Sequence, residues 1–394
     1  MCTWRMIKFR PDIVMVNGLR HTYPYYYSQI ALPKQWFNAK VICYYSEQVG
    51  YYDESLASGY KNQLIFDNVD FHIAWGPRFC RDLEANGVPH EKLWYLGSLQ
   101  YDIDKYHRQD AIAVKQILGQ RFGIDANKKW ILYADNIVKE YQPKDSYEQR
   151  RMDSFNVVKK VAEANPEAII IFRPHPDTSK AEQKRINEFF SANKNIVFNN
   201  QGHLYYWTVS AEALVTWCST SSIQAMFLNK PIFGFMTSDR QNLESYWYKG
   251  ILPLYEDYNL LAADVYNCFE GKISVQEAKT REAREKYVEE WYFKKDGLSF
   301  NRFVSLFNIV SHADFCPLKG YCSRVKTTTL LRILYYELRA FVGDHLKGRN
   351  KDRNVTKREI ENEKNAYDIE RYEHIEYREI ETKSGKTFEK CLNP

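Results

Sequence analysis

A chain of 394 residues with 44% apolar and 15% aromatic residues has the material for two packed domains and a tail, which excludes wholesale disorder. Its net charge of +5 is too mild to argue nucleic-acid binding, and no zinc-finger or other nucleic-acid signature is present. Eight cysteines, at 2, 43, 80, 218, 268, 316, 322 and 391, form no CxxC pair, so they read as reduced intracellular thiols, not as a disulfide framework or a metal site.

The opening MCTWRMIKFRPDIVMVNG lacks the layout of a signal peptide, and no apolar run reaches the ~18 residues that span a bilayer; both predict a cytoplasmic protein. The chain enters strand almost at once, so its first domain is expected to lack the usual opening strand–helix unit, or to begin upstream. Short apolar runs then predict strands at 13–16, 41–45, 71–75, 92–95, 130–133, 168–172, 195–198, 213–215 and 231–235. Amphipathic segments between them predict helices at 25–36, 77–86, 154–164, 180–191 and 223–228. Continuous apolar strands separated by helices mean parallel sheets covered on both faces.

The alternation breaks once, between about 97 and 129, where a polar helix precedes a second strand start at DANKKWILYADN. The predicted fold is therefore α/β, with two Rossmann-like doubly wound parallel-sheet domains. The expected divisions are 1–105, a linker helix 106–128, 129–310, a C-terminal helix 311–350 and a charged tail 351–394. Residues 276–310 read as helical, and 347–394 are charge-dense and poor in branched aliphatics.

Ligands of open parallel sheets bind beyond the carboxyl ends of the strands, and that rule selects three segments of the second domain. The first is Ala134–Asp135–Asn136. The second is IIIFRPHP, where Pro174 and Pro176 stop the strand and frame His175, with Arg173 on the same side of the extended chain. The plain alternative for His175 is a satisfied core histidine. The third is TWCSTSSIQAMF, where Ser219, Thr220, Ser221 and Ser222 precede a helix. One hydroxyl suffices as an N-cap, and four suggest a phosphate site at the helix start.

FRPHP at a strand end, followed some forty residues later by a serine-rich turn, a helix and a KP-strand, resembles the GT-B glycosyltransferases of bacterial surface-polysaccharide synthesis. The resemblance spans roughly residues 10–310. It is nearest to the branches with an HP motif: Kdo transferases of capsule and O-antigen, bacterial sialyltransferases and CDP-glycerol glycerophosphotransferases. YLGSLQYDID is also similar to the segment with which such proteins end their N-terminal domain, although Leu99 stands where proline is common. The resemblance implies that Arg173, His175, the 219–222 hydroxyls and Gln224 hold a cytidine nucleotide, and the strand-end rule adds Asn136 to the expected donor site. Many relatives carry Glu at the Gln224 position. It further implies a nucleotide-sugar co-substrate with no separate cofactor and no metal, the YDID pair at a domain hinge being misplaced for metal binding.

Glu47 in YYSEQVG follows a strand and matches an acidic residue ahead of a glycine in the sialyltransferase-like branches; Gly50 comes shortly after. It is either an exposed loop glutamate or the base that takes the acceptor's proton. Asp102, with Asp104 beside it, lies near the hinge; Asp102 is the expected nucleophile if transfer passes through a covalent adduct. The segment 327–358 joins an apolar stretch to a basic exit. It reads as a helix packed back on the fold, or as an interfacial helix at the inner face of the plasma membrane. The expected function is transfer of a CMP-activated acidic sugar, of the Kdo or sialic type, to a surface-polysaccharide or lipid-linked glycan acceptor. The alternatives are a CDP-glycerol or CDP-ribitol phosphotransferase and a non-catalytic scaffold of the same fold.

Overall fold

A computed structural model of the chain describes residues 11–17, 30, 32–45, 68–102, 104–139, 144–217, 219–239, 250–272 and 274–312. The strands are β1 (Ile13–Asn17), β2 (Lys40–Tyr44), β3 (Phe71–Ala74), β4 (Leu93–Tyr95), β5 (Trp130–Ala134), β6 (Ile169–Arg173), β7 (Ile196–Phe198), β8 (Ala213–Thr216), β9 (Ile232–Phe235) and β10 (Leu254–Tyr255). The helices are α1 (Leu32–Phe37), α2 (Pro77–Ala85), α3 (Leu99–Asp102), α4 (Asp104–Phe122), α5 (Lys144–Ala164), α6 (Lys180–Phe190), α7 (Leu204–Ser210), α8 (Ser221–Phe227), α9 (Tyr258–Phe269), α10 (Val275–Tyr292) and α11 (Ser299–His312).

All the strand pairings are parallel, and they form two sheets. The first runs β1-β2-β3-β4, with no reversal among its described strands. The second runs β10-β9-β8-β5-β6-β7. Its first strand in sequence, β5, lies between β6 on one side and β8 on the other. Strand order therefore reverses at β5–β8, the switch point where doubly wound sheets bind their ligands. The α/β fold class with two parallel sheets agrees with the sequence expectation.

The second sheet shows why its strands read as unbroken apolar runs. Trp130, Leu132, Ile169, Ile171, Leu214 and Ile232 point to one face, where α4, α7, α8 and α10 cover them. Ile131, Tyr133, Ile170, Phe172, Val215 and Phe233 point to the other, beneath α5, α6 and α9. Side chains alternate along a strand, so two covered faces demand an apolar residue at every position. The first sheet has a smaller core, built on Val14, Val16, Val41, Cys43, Phe79 and Leu83.

After the second sheet the chain returns to the first. Trp75 at the β3 exit stacks on Tyr292 of α10 at 5.4 Å, and Tyr101 stacks on Phe227 of α8 at 4.6 Å. The approach is close enough that a Cβ on Gly76 would lie 2.3 Å from the Trp291 carbonyl carbon. Gly97 adopts φ +89°, and a Cβ there would meet the Ser299 hydroxyl at 2.2 Å. Only glycine satisfies both conditions at that point. The two sheets thus share one aromatic cluster at the carboxyl end of the first. The described residues all fall within one compact unit.

Candidate functional site

The exits of β5, β6 and β8 lie side by side, because Ala134 is in register with both Arg173 and Thr216. With neighbouring strands ~4.8 Å apart, the β6 and β8 exits are separated by about 10 Å. Asn136, His175 and Ser219 follow these exits directly, so the structure gathers them at one edge of one sheet. Prolines end β6 because its next amide would belong to a ring nitrogen without a proton. Thr216 closes the neighbouring exit, donating its hydroxyl to the Ala134 carbonyl at 2.8 Å.

His175 is half-buried, and its Nδ1 accepts the Asp177 amide proton at 3.1 Å. With Nδ1 an acceptor, the neutral ring carries its proton on Nε2. The ring is thereby a fixed donor at the strand exit.

Arg173 does something other than expected. Its guanidinium is buried and donates to Asn199 Oδ1 at 2.9 Å, to the Asn199 carbonyl at 3.1 Å and to the Gly202 carbonyl at 2.7 Å. A fourth bond, at 2.5 Å, goes to the Gln201 carbonyl. The same carbonyl accepts from Trp207 Nε1, and Trp207 lies beneath the guanidinium at 5.7 Å. Arg173 therefore moulds the turn after β7, and these bonds place its charge on carbonyls. The expectation that Arg173 joins His175 at a phosphate does not account for these bonds, which tie Arg173 to the 199–202 turn.

The hydroxyl turn also divides. Ser221 and Ser222 are buried; Ser221 Oγ donates to Ser219 Oγ at 2.9 Å, and Ser222 Oγ to the Ser219 carbonyl at 2.8 Å. Those bonds serve the turn itself. Thr220 at the N-cap of α8 is exposed and makes no capping bond, and Ser219 beside it is half-buried. Gln224 is buried and accepts from the Thr208 hydroxyl of α7 at 3.4 Å, a contact between helices.

Asp102 is buried, and its two oxygens accept the amide protons of Ser299 at 3.0 Å and Phe300 at 2.5 Å. A carboxylate on the first two amides of α11 is a helix cap, stabilised by the dipole. With both oxygens so engaged, the expected nucleophilic role gives way to a structural one. Glu47 and the segments 311–350, 351–394 and 327–358 fall wholly or mostly outside the described residues, as does the side chain of Asp104.

Sequence reasoning missed the charges beneath the rim. Arg151 of α5 is fully buried; it donates to Asp135 Oδ2 at 2.8 Å and to the Ile137 carbonyl, and pairs with Glu182 of α6 at 3.2 Å. Burial pushes the Asp135 carboxyl above its ordinary value while Arg151 pulls it down, and Asp135 in turn holds Arg151 charged. The signal was present. Tyr147, Arg151, Phe155 and Val158 share one helix face, and an arginine in an apolar stripe needs a buried partner. Among the described residues no group of three or more His, Cys, Asp or Glu could hold a metal ion, and no helix is long and apolar enough to cross a membrane.

Two Rossmann-like sheets, with a switch point carrying RPHP and a serine turn, define the GT-B class of nucleotide-dependent fold. Residues 98–306, somewhat over half of the chain, match the CDP-glycerol:poly(glycerophosphate) glycerophosphotransferase family, and the chain belongs to that family. No curated protein matches it in sequence. Solved structures agree on the fold. A protein described as a UDP-N-acetylglucosamine 2-epimerase of Listeria monocytogenes superposes with a TM-score of 0.53 at 12% identity, covering 78% of this chain and 77% of its own. The wall teichoic acid polymerase TagF superposes at 0.51 with 15% identity, covering 79% and 84%. A TagF variant soaked with CDPG superposes at 0.52 with 14% identity, covering 76% and 72%. The family match favours the CDP-alditol alternative over the CMP-activated acidic sugar.

Proposed function

We propose that this protein transfers an alditol phosphate, glycerol phosphate foremost, from a CDP-alditol to a hydroxyl of a surface-polymer acceptor, releasing CMP. The observation that supports this most is the family match, which spans the whole second sheet and its switch point. In the reaction the acceptor oxygen attacks the phosphorus that bears the alditol. A new P–O bond forms, the bridging P–O bond breaks, and CMP leaves with the electron pair. The hydroxyl proton passes to a base.

His175 is suited to the phosphates, because its Nε2–H is held by the Nδ1 contact to Asp177. Ser219 and Thr220 follow the β8 exit, on the other side of β5 from the β6 exit, and we assign them to the same phosphates. Donors fixed on either side of a diphosphate stabilise the charge that develops on the departing CMP. Asn136, between the two exits, is assigned to the same diphosphate. Direct displacement at phosphorus needs no covalent adduct, which accords with Asp102 serving as a helix cap. For the base we assign Glu47, which follows the carboxyl end of β2 in the sequence.

The test follows phosphorus. CDP-glycerol labelled in the glycerol-bearing phosphate, incubated with a poly(glycerophosphate) primer, should pass its label to the polymer and yield unlabelled CMP. CMP-activated acidic sugars should not be consumed. Consumption of a CMP-sugar, with CDP-glycerol and CDP-ribitol untouched, would overturn the reading.

A further inference from the structure

One turn of α5, Arg150–Asp153, touches the residues that follow β5, β8 and β9, and reaches the segment after β6 through Glu182. Arg151 holds the β5 loop through Asp135 and Ile137, and pairs with Glu182 in the first turn of α6, which follows RPHP. Arg150, also buried, pairs with Asp239 beyond β9 at 2.6 Å, and its guanidinium lies 5.4 Å from the Trp217 ring at the β8 exit. Asp153 accepts the Ser238 amide at 2.7 Å and the Ser238 hydroxyl at 2.9 Å. The placement follows from topology. A crossover helix runs antiparallel to its strands, so its N-terminal half covers their carboxyl ends.

We infer that this turn is the positioning element of the donor site, resting on the function proposed above. Beyond the strands, the Asp135 amide still donates to the Arg173 carbonyl at 2.9 Å. Buried ionic and hydrogen-bonded ties to one rigid helical turn add to that bond and link the described residues after β5, β8 and β9. Arg150, Arg151, Asp153 and Glu182 are thus positioning residues: the first three anchor the loops, and Glu182 transmits the anchor to the His175 turn. Arginine suits the task because one guanidinium engages several acceptors in fixed directions. A lysine in place of Arg151 would retain charge but not the span from Asp135 to Glu182.

The experiment uses Glu182→Gln and Asp153→Asn in the full chain. Glutamine at 182 keeps the Ser179 capping geometry and removes the charge facing Arg151, so the fold is spared. Each variant should weaken binding of CDP, measured by calorimetry, by about tenfold. In a His175→Ala background the Glu182→Gln loss should vanish, because Glu182 acts through the His175 turn, whereas the Asp153→Asn loss should persist. CDP affinities within twofold of wild type, or a Glu182→Gln loss undiminished without His175, would overturn the inference. Should the wild type bind no CDP, the proposed function fails and hydrogen exchange still decides this point. Amides at 177–178 should exchange faster in Glu182→Gln, and that at 238 in Asp153→Asn, with 131–134 unchanged. Unaltered loop exchange would overturn the positioning role.

Discussion

The carboxyl ends of the two sheets are built from different materials. In the second sheet they lead into a rim of charged and hydroxyl groups, anchored from below by Arg150, Arg151 and Asp153. Among the described residues of the first sheet they carry aromatic packing: Trp75 on Tyr292, Trp75 Nε1 on the Tyr44 hydroxyl at 2.9 Å, and Tyr101 on Phe227. The second also reverses strand order at its centre, and the first does not within its described strands. The lesson is a division of tasks. The reversed sheet gathers polar groups at its switch point, and the unreversed one offers a packed edge on which α10 and α11 close.

The sharpest way to break that division is through Glu47, the base assigned above, which follows β2 in the sequence. Glu47→Gln should lower phosphate transfer ~10²–10⁴-fold and leave CDP affinity near wild type. Steady-state assay beside calorimetry checks it; transfer within a few-fold of wild type would return Glu47 to the status of a loop residue. Arg173→Ala comes next. It strands four carbonyl contacts of the 199–202 turn, and should cost about 1–3 kcal/mol of stability by denaturant titration, with weakened donor binding. Lysine at 173 should recover only part of this, because it cannot reach all four contacts.

Asp102→Ala separates cap from chemistry. Loss of the α11 cap should cost about 1 kcal/mol and leave transfer within a few-fold of wild type. A thousandfold loss with intact stability would restore the nucleophile. A pH-dependent effect concerns His72 in the first sheet, where burial, aided by the Lys92 charge, pushes the imidazole down to about 3. Its unfolded value is ~6.5. Between the two the unfolded chain binds the extra proton, so the stability His72 confers is complete above pH ~6.5 and declines as pH falls. Thermal melts from pH 7 to 5 should therefore slope less steeply in His72→Phe than in wild type.

Much of this fold was legible because burial on both faces leaves an unmistakable apolar run; IIIF and WILY announce β6 and β5. The two-residue β10 and the seven-residue α7 are too short to show a period. Helix α5 begins ten residues before the 154 expected from apolar periodicity. The overlooked turns are those whose burial is satisfied by ion pairs, and they carry the anchor of the site. RPHP was legible as a strand exit, but the opposite fates of Arg173 and His175 were not. A side chain's partners in space, here Asn199 to Gly202, leave no mark in its own motif. The same holds for Asp102 and α11.

The central claim is that the second sheet alone binds the donor nucleotide, through the exit that carries His175. Calorimetric titration of CDP into wild type, His175→Ala and Glu47→Gln tests it most directly. The account predicts binding to wild type, an affinity at least tenfold weaker in a folded His175→Ala, and no change in Glu47→Gln. Wild-type affinity in His175→Ala would contradict it.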